Sequence, residues 1–143
     1  MECQLCKPDS SLIVKNFQNW IVSLHKNQAY LGRCIVSLKR HETDLMDINP
    51  AEIQELFLIS KKLKLGLKDL FQPDLFNYVS SGNSIRHLRL DVIPRYKGKR
   101  NFKNVQFQDV NFGKNYSPYN KQFEIPTSAM VELRKVIRQK VEK

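Results

Sequence analysis

The sequence predicts an α+β fold in which an antiparallel sheet of about five strands carries one long helix and a C-terminal helix. Short segments rich in apolar and β-branched residues are separated by polar breaks, which is typical of strands. Two longer segments place apolar residues at helical spacing. The order strands, helix, strands, helix is the α+β pattern. With 143 residues, of which 41% are hydrophobic, the chain is predicted to form a single domain over residues 1–143.

Five segments are predicted as strands of this sheet. Three lie in the N-terminal third and two follow the long helix, at residues 12–17, 20–24, 33–38, 75–79 and 87–93. In the last segment, apolar residues alternate with His87, Arg89 and Asp91. Strand periodicity therefore places these three polar side chains on one face. Pro94 is expected to end the strand.

Two helices are predicted from their start signals and apolar spacing. Asn49 can cap the first helix, Pro50 suits its first position, and Gln72-Pro73-Asp74 ends it. The second helix opens at residues 126–128 and presents an apolar stripe, namely Met130, Leu133, Ile137 and Val141. Between the last main strand and this helix, residues 95–120 are predicted as a long loop with one edge strand near 105–107.

The charge balance and the cysteine content indicate which partners, location and cross-links to expect for this chain. Lys and Arg together number 24 against 14 Asp and Glu, which gives a net charge of +10. Such an excess favours polyanionic partners, although it can also serve solubility alone. No apolar run is long enough to span a bilayer, and the N-terminus lacks a signal-peptide core, so a cytoplasmic, non-membrane protein is expected. Three cysteines in a reducing compartment argue against a disulfide framework, and Cys34 is predicted as a buried core residue.

Residues 77–96 carry the most informative motif. The central part reads Gly82-Asn83-Ser84-Ile85-Arg86-His87-Leu88-Arg89-Leu90-Asp91, followed by Pro94-Arg95-Tyr96. This stretch resembles the signature of the histidine triad (HIT) superfamily of nucleotide hydrolases and transferases. That signature has a glycine-containing turn, three histidines alternating with apolar residues and, in many members, Pro-Arg-Tyr.

Two further segments support the resemblance. The segment over residues 32–41 begins with Gly32-Arg33 and ends with Lys39-Arg40-His41. It resembles a family segment that consists of Gly-His, four apolar residues and Pro-Lys-x-His. Residues 107–109 and 112–116 resemble a tail found in some bacterial and archaeal members. The pieces occur in the family's order over roughly residues 1 to 120, which makes the resemblance specific.

Two of the three motif histidines are replaced. His87 matches the first, whereas Arg89 stands in place of the middle one, which in the family attacks the α-phosphate, and Asp91 replaces the third. An imidazole is a nucleophile near pH 7, but a guanidinium stays protonated and only donates hydrogen bonds. Arg89 therefore cannot be the nucleophile. It can bind phosphate oxygens in a bidentate manner, or it can form an ion pair with Asp91 that has no ligand role.

The resemblance also implies a zinc site. Several HIT enzymes carry an N-terminal Cys-x-x-Cys whose thiolates bind zinc with two histidines, and the matching residues here are Cys3, Cys6, His41 and His87. Two thiolates and two imidazoles close a tetrahedral structural zinc shell. Taken alone, His41 could be a surface residue in a charge run and His87 a buried histidine.

Phosphate contacts are implied for the turn Gly82-Asn83-Ser84 and for Asn77, with an ordinary turn as the alternative. Together with Arg89 and Asp91 of the motif strand, these are the six predicted ligand-binding residues. Basic residues surround the motif strand and are interleaved with Tyr96 and Phe102; they are Arg86, Arg95, Lys97, Lys99 and Arg100. This pattern is consistent with an anion-attracting surface or a platform for single-stranded nucleic acid, and equally with a solvated basic loop.

Together these observations predict a zinc-stabilised HIT-fold protein that binds a nucleotide or another phosphorylated ligand and has lost family-type hydrolysis. Two alternatives remain open: a hydrolase with an atypical mechanism, in which Asp91 acts as base for water, and an RNA-binding or scaffold protein that uses the basic surface. The resemblance implies a homodimer. His25 is predicted to face solvent in a polar turn, and no nucleophile–base pair is recognisable.

Overall fold

The computed structural model describes residues 3–142 and contains a five-stranded antiparallel sheet. The strands are β1 (Ile13–Asn16), β2 (Trp20–Leu24), β3 (Cys34–Leu38), β4 (Leu75–Val79) and β5 (Arg89–Arg95). Their order across the sheet is β1-β2-β3-β5-β4, so that β4 is an edge strand. This arrangement confirms the predicted α+β class and its sheet.

Two helices complete the fold, α1 (Pro50–Phe71) and α2 (Thr127–Val141). The predicted start of α1 is confirmed by a capping box, in which the Asn49 side chain accepts from the Glu52 N–H at 2.8 Å and Glu52 accepts from the Asn49 N–H at 2.9 Å. Gln72 ends the helix in a left-handed conformation. Neither helix is long and apolar enough, within residues 3–142, to cross a membrane.

The hydrophobic core lies between one face of the sheet and the two helices. Inward-facing side chains of the sheet pack there against buried residues of α1 and α2, including Trp20, Val22, Val36, Leu63, Leu67, Leu88, Val92, Leu133 and Ile137. Cys34 is fully buried in this core, as predicted, and its burial raises the pKa of the thiol to about 12. This cysteine is therefore a packing residue rather than a reactive one.

The position of β5 differs from the prediction at both ends. The strand begins at Arg89 instead of His87, and it continues through Pro94 to Arg95. Proline fits inside the strand because the ladder between β3 and β5 ends at the pair Cys34 and Val92. Beyond Val92, β5 has only β4 as a neighbour, so Pro94 lies where its missing N–H removes no bond to β3.

The second face of the sheet, away from the helices, is here called the open face. Cross-strand pairs place Ser23 beside Ile35, Ile35 beside Asp91, and Ser37 beside Arg89. The alternation of β5 therefore holds from residue 89 onward, and it puts Arg89 and Asp91 on the open face as predicted.

The long loop after β5 contains more structure than predicted. Instead of one edge strand near 105–107, a two-stranded hairpin forms from β6 (Arg100–Phe102) and β7 (Val105–Phe107). Lys103 and Asn104 make its turn with positive φ angles of 49° and 65°. Asparagine tolerates this conformation well, which suits a two-residue hairpin turn.

Candidate functional site

Four side chains form a compact cluster at one end of the sheet. The ligand atoms of Cys3, Cys6, His41 and His87 all lie within 4.8 Å of one another. The Cys3 Sγ is 3.2 Å from the His87 Nδ1, and the Cys6 Sγ is 3.3 Å from the His41 Nδ1. Two atoms bound to one tetrahedral zinc ion are separated by roughly 3.5 Å, given the usual zinc–ligand bond lengths. This group could therefore hold a metal ion.

The antiparallel pairing of β3 and β5 brings the two histidines together. His41 follows the end of β3 and His87 precedes the start of β5, so the two residues lie at the same end of neighbouring strands. Their ring centroids are 5.2 Å apart. The N-terminal turn, closed by a bond from the Cys6 N–H to the Cys3 carbonyl at 3.2 Å, then places both thiols against the two rings.

His87 is held in the form that a metal requires. Its Nε2 lies 2.6 Å from the Leu38 carbonyl oxygen, which can only accept, so Nε2 carries the proton and Nδ1 offers its lone pair to the cluster. The side chain is 1% exposed, and burial lowers the pKa of the imidazole and favours its neutral form. A neutral imidazole with one orienting bond is a typical metal ligand.

The Arg89 guanidinium does not form the ion pair with Asp91 that the sequence leaves open as an alternative. Its Nη1 donates to the carbonyl oxygens of Ile85 at 2.8 Å and His87 at 3.1 Å. Within residues 3–142, Nε and Nη2 of Arg89 have no protein acceptor. These two donors leave the half-buried side chain able to bind a further group.

Asp91 is paired with Arg33 rather than with Arg89, which corrects the predicted alternative. The Arg33 Nη2 donates to the Asp91 Oδ2 at 2.5 Å, and the Arg33 side chain is 4% exposed. The physical reason is distance: residues 89 and 91 are two apart on one strand, about 7 Å along it, whereas Arg33 reaches Asp91 from the neighbouring strand end. Rings of Tyr116 and Tyr119 lie 5.4 and 5.1 Å from the Arg33 guanidinium.

This ion pair joins two positions that depart from the HIT pattern. Arg33 stands where the family's Gly-His segment has its histidine, and Asp91 stands where the third motif histidine would be. The two replacements contact each other as an arginine–carboxylate ion pair. Nε and Nη1 of Arg33 are buried and have no hydrogen-bond partner within the described residues. The single ion pair with Asp91 is therefore the main compensation for this buried charge.

A cavity of about 470 Å³ lies between the N-terminal segment and the open face. We call it the open-face cavity. Apolar residues line much of it, among them Leu5, Pro8, Leu12 and Ile35. Ser23 and Ser37 contribute hydroxyl groups that are buried and have no protein partner in residues 3–142.

Arg89 is not a lining residue of this cavity, but two residues in contact or in register with it are. Ile85, whose carbonyl accepts from Arg89, lines the cavity, and Ser37 is the cross-strand neighbour of Arg89. An apolar chamber with two unsatisfied hydroxyls, together with an arginine on the same face of the sheet, is a combination suited to a small ligand with a flat apolar part and an anionic part.

His25 also lines the open-face cavity, and the prediction that it faces solvent is wrong. The side chain is half-buried, and its Nδ1 accepts from the Asn27 N–H at 3.0 Å. Burial, together with the nearby charge of Arg33, lowers the pKa of His25 to about 4. His25 lies two residues after Ser23, so extending the alternation of β2 by one residue puts both side chains on the open face. This spacing is the sequence signal that indicates the position of His25.

Three of the four remaining predicted ligand residues line two other clefts. Gly82 and Asn83 line one of about 550 Å³ together with Arg86. Ser84 is exposed in the same turn. Asn77 lines another cleft, of about 520 Å³, and its Oδ1 accepts from Arg95 at 2.8 Å. Of the six predicted ligand residues, the structure thus brings Arg89 and Asp91 to one face.

The basic residues around the motif strand do not form one surface. Arg95 is 2% exposed and forms two bonds to Asp109, at 2.7 and 3.2 Å, so the Pro-Arg-Tyr motif and the tail motif fold against each other. Arg100 donates to the carbonyls of Phe71 and Gln72 and thereby caps the end of α1. Lys97, Lys99 and Arg86 are exposed. Two of the five members of the predicted nucleic-acid platform therefore have structural roles.

Comparisons with known proteins agree with this geometry. A family model described as the HIT domain matches residues 8–98. An uncharacterized HIT-like protein of Mycoplasma genitalium is 30% identical over 76 residues, which are 50% of this chain and 54% of that relative, so the chain matches about half of the relative's length.

Solved structures show the same fold at low identity. A hypothetical histidine triad nucleotide-binding protein from Sulfolobus tokodaii superimposes with a TM-score of 0.73 at 21% identity, covering 98% of this chain and 92% of its own. A zinc-bound histidine triad family protein from Mycobacterium smegmatis gives a TM-score of 0.69 at 15% identity, with coverages of 99% and 94%. The HIT domain match covers more than half of the chain and includes both replaced motif positions. This chain therefore belongs to the histidine triad (HIT) family.

Proposed function

We propose that this protein binds a nucleotide or another small phosphorylated ligand on the open face, holds a structural zinc ion and lacks the hydrolysis typical of its family. The observation that carries the proposal is the position of Arg89, which is the cross-strand neighbour of the lining residue Ser37 and has Nε and Nη2 uncommitted to the protein within residues 3–142. The family-level precedent is the Sulfolobus tokodaii relative, which is described as a nucleotide-binding protein.

The ligand would occupy two adjoining regions. Leu12 and Ile35 offer apolar contacts to a flat base, while the hydroxyls of Ser23 and Ser37 can satisfy its polar atoms or those of a sugar. Arg89 can then donate to phosphate oxygens on the same face of the sheet. Net charge of +10 favours the approach of such an anion.

Zinc is proposed at the cluster of Cys3, Cys6, His41 and His87. Two thiolates and two imidazoles suit zinc better than magnesium or calcium, which prefer oxygen ligands. Four protein ligands close a tetrahedral shell, so the metal would have a structural role and would leave no position for substrate. The zinc-bound relative from Mycobacterium smegmatis supports this assignment.

The first test is binding of AMP. We expect weak affinity, with a Kd of about 10 μM to 1 mM, and we expect Arg89→Ala to weaken it roughly tenfold or more because a hydrogen bond to a charged group is lost. Isothermal calorimetry measures both. Arg138→Ala is the matched control, since this arginine lies on α2 and pairs at the surface with Glu142. Equal AMP affinity in wild type and Arg89→Ala would show that Arg89 does not bind the phosphate.

The second test is turnover. The protein should cleave diadenosine tetraphosphate and adenosine phosphoramidate more slowly than about 1 s⁻¹, the lower end of common enzyme rates, because Arg89 replaces the nucleophile. Asp91, the candidate base of an atypical hydrolase, is engaged by Arg33. Chromatographic assay of product formation measures the rate. Faster cleavage that disappears in Asp91→Asn would favour the hydrolase alternative.

We also propose a homodimer formed through β4. This edge strand exposes Leu75 and Tyr78, which are 43% and 46% exposed. An uncovered edge strand with exposed apolar side chains can extend its sheet by pairing with a second copy. The molar mass measured by light scattering should be about twice the 16.8 kDa of one chain. The variant Tyr78→Lys should have a molar mass closer to that of the monomer. A monomeric wild type at ~100 μM, where a dimer of ordinary affinity forms, would exclude this assembly.

A further inference from the structure

We propose that zinc binding and ligand binding are coupled in this protein, because the metal-ligating turn also forms the roof of the open-face cavity. The inference rests on the proposed function and adds a means of regulation to that site. The segment concerned, residues 4–8, is here called the roof segment. Gln4, Leu5, Lys7 and Pro8 of this segment line the cavity.

The roof segment and the metal ligands are interleaved in the chain. Gln4 and Leu5 lie between Cys3 and Cys6, so two residues that face the cavity are flanked by two residues that face the metal cluster. The thiols contact His87 and His41 at 3.2 and 3.3 Å. Holding the two sulfur atoms at one point therefore fixes the backbone that carries Leu5 over the open face.

The two ends of the roof segment are anchored by different means. At its C-terminal end, the side chain of Asp9 accepts from the Ser11 N–H at 2.9 Å, and Arg134 of α2 donates to the carbonyls of Ser10 and Ser11 at 3.2 and 3.3 Å. β1 follows directly. Protein contacts anchor this end, whereas at the N-terminal end Cys3 and Cys6 contact His87 and His41 of the metal cluster.

Metal loss would loosen one end and leave the other in place. A thiol is a weak hydrogen-bond donor, so Cys3 and Cys6 without metal hold the turn far less firmly than two zinc–sulfur bonds. Ordering a free backbone segment costs conformational entropy. Without the metal, a ligand would have to order the roof segment on binding, and its affinity would fall accordingly.

The floor of the cavity does not depend on the metal in the same way. Ser23, Leu24, Ile35 and Ser37 belong to β2 and β3, which are held by a continuous five-pair ladder. Arg89 lies in β5, which pairs with β3 and β4 without the metal, although its Nη1 also donates to the His87 carbonyl. Zinc-free protein should therefore retain a phosphate-binding arginine while losing the contacts that the roof segment makes with the rest of the ligand.

The experiment compares two probes and two metal states. Calorimetry measures AMP and inorganic phosphate binding to zinc-loaded wild type, to chelator-stripped wild type and to the double variant Cys3→Ser with Cys6→Ser. We expect AMP affinity to fall at least tenfold in both zinc-free forms, while phosphate affinity changes less than twofold. Because linkage is reciprocal, saturating AMP should raise zinc affinity by the same factor.

Two further measurements keep the inference testable if zinc-free protein is unstable. Leu5→Asp retains all four metal ligands, so it should keep one zinc per chain and still weaken AMP binding. Hydrogen exchange at residues 4–8 should be slow with zinc and fast without it, while β2 and β3 stay protected.

The possible outcomes separate the two proposals. Equal AMP affinity in folded zinc-loaded and zinc-free protein, or full AMP affinity in Leu5→Asp, would overturn the coupling and leave the proposed function intact. Absence of AMP binding in every form, including zinc-loaded wild type, would overturn both. Exchange at residues 4–8 that does not respond to zinc would also contradict the coupling.

Discussion

Protein purified without added metal should contain about one zinc per chain, and loss of that zinc should lower the midpoint of thermal unfolding by roughly 10 °C or more. The site joins three distant parts of the chain, because Cys3 and Cys6 lie in the N-terminal turn, His41 follows β3 and His87 precedes β5. Metal-binding free energy at such a site adds to folding free energy, since the unfolded chain does not hold the four ligands together. Elemental analysis and scanning calorimetry make the two measurements.

The double variant Cys3→Ser with Cys6→Ser is the control for effects of the chelator that do not involve the zinc site. A chelator should lower the unfolding midpoint of wild type, whereas it should not change the midpoint of Cys3→Ser with Cys6→Ser, which has already lost the thiolates. A fall of equal size in both proteins would point to an effect of the chelator elsewhere. Well-folded wild type that carries no metal after gentle purification would exclude the zinc assignment.

The four residues of the candidate metal site could be predicted from the sequence because each belongs to a recognisable local motif. Cys3-x-x-Cys6, the histidine after Lys39-Arg40 and the first motif histidine lie at the family's positions, and the structure places their ligand atoms within 4.8 Å. The sheet was predictable for a related reason. Strand alternation is a local property, and it correctly placed Arg89 and Asp91 on one face.

The contacts of charged residues could not be predicted in the same way. Asp91 had an arginine at residue 89 on its own strand, but it pairs with Arg33, which is distant in sequence and close in space. Arg95 has the appearance of a surface residue between Pro94 and Tyr96, yet Asp109 of the tail neutralises it in the interior. Such choices depend on how strand ends and loops meet, which alternation and composition do not specify.

The open-face cavity was missed for a further reason. Its roof is an N-terminal segment without regular structure, and its floor comes from β2 and β3, so its existence depends on the path of the chain. His25 illustrates the difficulty, because its polar sequence neighbours suggested a solvent-exposed turn while the sheet places it against the cavity. Hydrophilic neighbours describe the local chain but do not describe what packs over it.

Asp91→Ala should lower the free energy of unfolding by about 3–5 kcal/mol, because it leaves the Arg33 charge buried without a partner. Arg33 is 4% exposed, its Nη2 is bonded to Asp91 at 2.5 Å, and within the described chain its Nε and Nη1 have no acceptor. Denaturant unfolding monitored by circular dichroism measures the change. Glu142→Ala is the comparison, since its ion pair with Arg138 is exposed on α2 and should contribute nothing measurable.

A double variant distinguishes loss of a partner from loss of the pair. Arg33→Met with Asp91→Leu removes both charges and fills similar volumes, so we expect it to be more stable than Asp91→Ala alone, with a coupling free energy of about 1–3 kcal/mol in the cycle. If Asp91 were instead the partner of Arg89 in solution, Asp91→Ala would leave stability nearly unchanged and would strengthen AMP binding by releasing the Arg89 guanidinium. Stability and AMP affinity of the same variant therefore decide which arginine Asp91 neutralises.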